Sequence, residues 1–139
     1  MATTTAAFSL TSSDIMDNAL SLSNTATLTT AGTSTGITET TGLARKKIAS
    51  SSLQDLITVA NTDVTAAKSA KVYIRNAGTA TDKYGLIGIG DSTGTPIYLG
   101  RLYGGDWMFF PWDANSGEDI TITMNDTTET VIEYMVLFE

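Results

Sequence analysis

The 139-residue chain contains no cysteine and no histidine. Without cysteine there is no disulfide framework and no thiolate metal site, which argues against a small secreted module held by covalent staples. The missing histidine removes the commonest acid-base residue and the commonest metal ligand, and weighs against an enzyme. Positive charge is scarce and confined. Residues 1 to 44 carry only Asp14, Asp17 and Glu39; the eight basic residues all fall between Arg45 and Arg101, and eight carboxylates follow with no cation among them. A formal net charge of -7 without a contiguous basic groove disfavours nucleic acid, whose phosphates reward clustered Lys and Arg. No apolar run approaches a membrane span, and Met1-Ala2-Thr3-Thr4-Thr5 lacks the positive and apolar regions of a secretory leader. The expectation is a soluble protein made in a cytoplasm, with no membrane partner.

What the chain does have is one dense aromatic stretch, Leu102 to Asp113, holding both tryptophans and two of the four phenylalanines. Gly104-Gly105-Asp106 signals a turn, and the run after it favours a strand over Trp107 to Trp112. Alternation puts Trp107, Phe109 and Pro111 on one face and Met108, Phe110 and Trp112 on the other. Both faces are apolar, so such a strand needs covering twice, either by two layers of its own domain or by one layer plus a partner subunit, and the second points to self-association. Trp107, Met108, Phe109, Phe110 and Trp112 are therefore the expected subunit interface of a self-associating β-structure.

Residues 1 to 42 are mostly Thr, Ser, Ala and Gly, with Phe8, Leu10, Ile15, Met16, Leu20, Leu22, Leu28 and Ile37 thinly spread. Leu20, Leu22, Ala26 and Leu28 share one parity, broken only by Asn24, against Ser21, Ser23, Thr27 and Thr29, the pattern of a half-buried strand. This reads as an extended N-terminal arm that orders on another surface; a disordered Ser/Thr-rich tail is the bland alternative. Residues 43 to 139 read as the body. Arg45, Lys46 and Lys47 near its start either meet an acidic neighbour or protect a solvated strand edge. Short strands follow at 53–60, 71–76, 84–91, 97–103, 107–112, 120–124 and 130–139, separated by turns, with no amphipathic helix and no repeat of roughly twenty to fifty residues. The last is expected to lie inside a sheet. The pattern predicts an all-β fold, a β-sandwich or jelly-roll-like body.

Sites for chemistry are few. Asp113, Asn115, Gly117 and Asp119 alternate oxygen ligands in one loop and invite a calcium reading, but they depart from the EF-hand pattern, and as a hairpin connection they need no metal. The pairs Glu118/Asp119 and Glu129/Glu133 invite a glycoside-hydrolysis reading, in which two acids flank the scissile bond, yet they fall where solvated charge usually sits. The glycines of Tyr84 to Asp91 stand in the wrong order for a phosphate loop and suit a bulged strand. Trp107 or Trp112, if exposed, can stack on sugars. No catalytic residue, cofactor or metal is expected.

The succession Thr41-Gly42-Leu43-Ala44-Arg45-Lys46-Lys47, Val72-Tyr73-Ile74-Arg75-Asn76, Gly105 to Asp113, Asp119-Ile120-Thr121-Ile122 and Glu133 to Glu139 resembles small virion proteins of tailed bacteriophages, most of all capsid decoration, or cement, proteins. The resemblance implies a β-sandwich body, commonly a homotrimer, seated outside the major capsid protein shell with a terminal segment reaching across neighbours. It makes Phe8, Leu10, Ile15, Leu20, Leu22 and Leu28 the expected capsid-binding arm residues. The alternative is a trimeric fibre or tail sandwich that binds host glycans.

Overall fold

Wherever apolar and polar residues alternate, the chain is extended. The computed structural model describes residues 3–15, 17–62, 64, 70–115 and 118–139, and over these the protein is all-β. Met16 and Gly117 lie outside the described residues. In order the strands are β1 (Thr4–Ser12), β2 (Leu20–Leu28), β3 (Glu39–Thr40), β4 (Ala44–Ile48), β5 (Gln54–Ile57), β6 (Ala70–Asn76), β7 (Tyr84–Ile89), β8 (Ile97–Tyr103), β9 (Trp107–Trp112), β10 (Ile120–Met124) and β11 (Thr130–Phe138). The strand expected to reach residue 60 stops at Ile57. Beyond it the Val59 N–H donates to the Asp119 carboxylate at 2.7 Å, and a 3-10 turn over Val59–Asn61 takes the chain out of the ladder.

The chain divides into two units, Met1–Thr38 and Glu39–Glu139. The first is an antiparallel ribbon of β1 and β2, in register from Thr4 opposite Leu28 to Ser12 opposite Leu20. A second turn brings the chain back beside the end of β2, where the Thr30 N–H donates to the Thr35 carbonyl and the Ile37 N–H to that of Leu28.

The second unit is built from two antiparallel sheets. One has the order β5-β10-β7-β8; the other runs β3-β11-β6-β9, with β4 also paired to β11. From β4 onward successive strands cross from sheet to sheet, except for the β7–β8 hairpin. Both sheets contribute to a single core that includes Ile48, Val72, Ile74, Ile87, Ile120, Ile122, Ile132 and Val136. Two inner faces sharing one core make a β-sandwich. Each such aliphatic side chain stabilises the fold by roughly 1.5–3 kcal/mol on burial. β11 is an interior strand of its sheet, flanked by β6 on one side and by β3 and β4 on the other. Its inward row, Ile132, Tyr134, Val136 and Phe138, follows the parity of the sequence.

Candidate interaction surface

Alternation decides where the aromatic strand sends its side chains. β9 pairs with β6 in an unbroken register, Val72 opposite Phe110 and Ile74 opposite Met108, and Val72 and Ile74 are fully buried. Met108 and Phe110 therefore pack on the core beside Trp112, which is 3% exposed and donates its indole N–H to the Glu118 carbonyl at 2.8 Å. The structure thus divides the five residues expected at a subunit interface. Met108, Phe110 and Trp112 are covered by the chain's own sandwich, while Phe109 is half-buried and Trp107 is 52% exposed on the outer face.

The turn before β9 is held from below by Asn76, a fully buried amide at the end of β6. Its side-chain N–H donates to the Leu102 carbonyl at 3.0 Å, and its side-chain oxygen accepts the Gly78 N–H at 2.9 Å. Its backbone N–H donates to the Asp106 carbonyl, and its carbonyl accepts the Gly105 N–H, both at 2.9 Å. Gly104 is required there: a Cβ would stand 2.5 Å from the Ala80 carbonyl oxygen. Gly105, at φ 91°, occupies the left-handed region open to glycine. The corner carries the chain from the edge of one sheet, β8, to the edge of the other, β9.

The basic triplet is engaged within the body. Arg45 donates through Nε to Glu133 at 2.8 Å, and Arg75 reaches the same carboxylate at 3.5 Å from the neighbouring strand. Lys46 donates to the Asp55 carbonyl of β5 at 2.8 Å, and Lys47 pairs with Glu129, which holds the lysine pKa above its usual value. Glu129 and Glu133, paired in sequence, thus each hold cations.

In the ribbon, directly opposed residues share a face. Thr4, Ala6, Phe8, Leu10, Ser12, Leu20, Leu22, Asn24, Ala26 and Leu28 fall on one side, and Thr5, Ala7, Ser9, Thr11, Ser21, Ser23, Thr25 and Thr27 on the other. Phe8 is 46% and Leu22 51% exposed; Leu10 and Ile15 are also exposed, Leu20 is half-buried, and Leu28 is buried. The alternation in β2 was legible from sequence. Its partner β1 was not read as a strand, although Ala6, Phe8 and Leu10 carry the same period.

In the 113–119 loop, Asp113 is exposed and Asp119 is occupied by the Val59 N–H. Among the described residues no three acidic side chains gather into a cation site. No protein-family model, curated protein or solved structure matches this chain.

A group missed from sequence lies on β8. Ile97, Tyr98, Leu99 and Tyr103 are all exposed, and only Leu102 of that strand is buried. The signal was available: Ile97-Tyr98-Leu99 is a run of three large apolar or aromatic residues with no polar alternation, in a strand that supplies one inward side chain.

Proposed function

We propose that this protein is a structural virion component that decorates a bacteriophage capsid, bridging major capsid protein subunits from outside, with its ribbon as the gripping element. One observation carries the reading. The ribbon presents a largely apolar face, interrupted by Asn24 opposite Phe8, on one side and mostly hydroxyls on the other, and two strands alone stabilise such a face only marginally in water. A surface that covers Phe8, Leu10 and Leu22 completes it. The sheet-to-sheet winding of the body, which we read as a jelly roll, is an architecture used by viral capsid and lectin domains, and it supports the reading by analogy of fold. Decoration needs neither cofactor nor turnover. Many copies, as homotrimers on the shell, turn modest contacts into large resistance to internal pressure. The protein is made in the host cytoplasm and ends on the outer capsid surface.

The test is reconstitution on undecorated shells. Replacing Phe8, Leu10 and Leu22 together by serine should reduce occupancy at least tenfold while the body melts at an unchanged temperature; unchanged occupancy rejects the reading.

Trp107 favours a second reading, host-glycan binding. It is half-exposed and stands opposite Arg75, an aromatic plane beside a donor fork. Glycan-array binding that disappears in Trp107→Ala with the fold intact would establish it.

A further inference from the structure

Four residues stand in one line across the outer face of the sheet that holds β11. Arg45 of β4 is opposite Glu133 of β11, Glu133 is opposite Arg75 of β6, and Arg75 is opposite Trp107 of β9. Directly opposed residues share a face, with Cβ atoms about 5 Å apart. That face is the outward one, because Ile74 and Ile132, next to Arg75 and Glu133, are fully buried, and Met108, next to Trp107, packs on the core. Arg45, Arg75 and Trp107 are exposed. The row is thus a single surface feature, about 14 Å long from its inter-strand steps of roughly 4.8 Å.

Resting on the glycan reading of Trp107, we propose that this row binds a carboxylate-bearing glycan, with the acid on Arg75 and Arg45 and a sugar ring on Trp107. Charge selects an acid. Two guanidiniums meet one carboxylate, so the row keeps an excess of positive charge in a chain of net charge -7. Lys47, on the same face of β4, is balanced by Glu129 and adds nothing to that excess.

The forks are already set for a carboxylate, since Glu133 is one. Arg45 holds one of its oxygens through Nε at 2.8 Å and Nη2 at 2.7 Å, whereas Arg75 reaches the other oxygen only at 3.5 Å. That contact is longer than an ordinary hydrogen bond, about 2.7–3.2 Å, and leaves the remaining N–H donors of Arg75 turned to water. A planar acid arriving from solvent can take that fork with two parallel bonds. Trp107 then favours a sugar over an acidic peptide. A pyranose ring carries its carboxylate on a stiff frame, so one rigid unit lies on the indole and reaches Arg75 one strand away. An acidic side chain brings the charge without the ring.

The test is an array of uronic-acid and sialic-acid oligosaccharides, each printed beside its methyl ester and probed with the full chain. At least one acid should be held at least tenfold more tightly than its ester, and the preference should shrink as salt rises. For that sugar, Arg75→Gln and Trp107→Ala should each weaken binding at least tenfold with the fold intact, while Arg101→Gln, a cation of the other sheet, should leave it unchanged. Arg75→Lys keeps the charge and loses the fork; it should bind at least threefold more weakly than the native protein, and it serves where the glutamine variant does not fold. Acid and ester bound equally, with both lost in Trp107→Ala, would overturn the carboxylate site and keep the glycan reading; no glycan held at all overturns both. An oligoglutamate peptide that competes as well as the sugar, a sulfated sugar held as tightly, or an Arg75→Gln protein that binds normally also overturns the proposal.

Discussion

The two margins of the sandwich are finished in opposite ways. At one, β4 and β5 are tied together by Lys46, whose ammonium crosses to the Asp55 carbonyl, and Arg45 of β4 closes over Glu133 of β11. At the other, β8 and β9 end in Ile97, Tyr98, Leu99, Tyr103 and Trp107, with one arginine spread over a tyrosine ring. A strand edge offers unpaired N–H and C=O groups to any passing chain, and charge is the usual guard. One fold therefore carries a margin that repels company and a margin that lacks that guard. Leu43, just before β4, is itself 57% exposed, so the margins differ in charge and in how many apolar side chains stand bare, not in whether any do.

The largest effect should come from breaking the corner that holds the apolar margin in place. Asn76→Ala removes the donor to Leu102 and the acceptor for Gly78 inside a fully buried site, and leaves both backbone partners unsatisfied. The expected loss is about 3 kcal/mol, read as a lowered denaturation midpoint with an unchanged slope. If the loss is under about 1 kcal/mol, the corner is held by its glycines alone.

An intermediate effect belongs to the guarded margin. The Glu133 side chain is 8% exposed, while its partners Arg45 and Arg75 keep 68% and 47% of their own exposure. Two half-solvated arginines rehydrate readily once the carboxylate is gone, so Glu133→Ala should cost about 1–2 kcal/mol, less than a fully buried pair would. High salt should narrow the gap between variant and native protein here, and should not do so for Asn76→Ala, whose lost partners are neutral.

Reading the sequence reached the body better than the surface. Alternation in Lys71 to Asn76, Ile120 to Met124 and Thr130 to Glu139 is enforced by burial of one face, so pattern and strand coincide. The aromatic strand was located, but its inner half was assigned to a partner, because six successive apolar residues show no polar side to mark which face the chain itself covers. Pairing was less legible still. Ser12 to Ala19 gave no hairpin signal of the Asn-Gly type, and β1 became visible as a strand only through its register with β2. The basic triplet had two readings; its intramolecular partners, Glu133, Asp55 and Glu129, come from strands and turns far along the chain, and no local pattern encodes such distances.

The smallest effect should come from a half-buried turn pair outside both margins, which calibrates the comparison. Asp126, in the turn between β10 and β11, pairs with Lys83 and accepts from the Thr128 hydroxyl and N–H. The lysine, followed by Thr128, holds the carboxyl well below its ordinary range, and the carboxylate in turn raises the lysine. A carboxyl whose folded-state pKa is depressed contributes stability that is whole above its unfolded value, near 3.9, and is lost as pH falls from there through the folded value. Asp126→Asn should therefore melt slightly below the native protein at pH 7, with the difference closing below about pH 4. A difference that did not narrow at all between pH 4 and pH 2 would show that the charge on Asp126 contributes nothing and that the loss comes from the shape of the turn. At neutral pH, Glu133→Ala should exceed Asp126→Asn, because the Glu133 side chain is 8% exposed and that of Asp126 31%. If the two were equal, the arginine clamp would count as one more surface ion pair, and the guarded margin would be guarded by geometry alone.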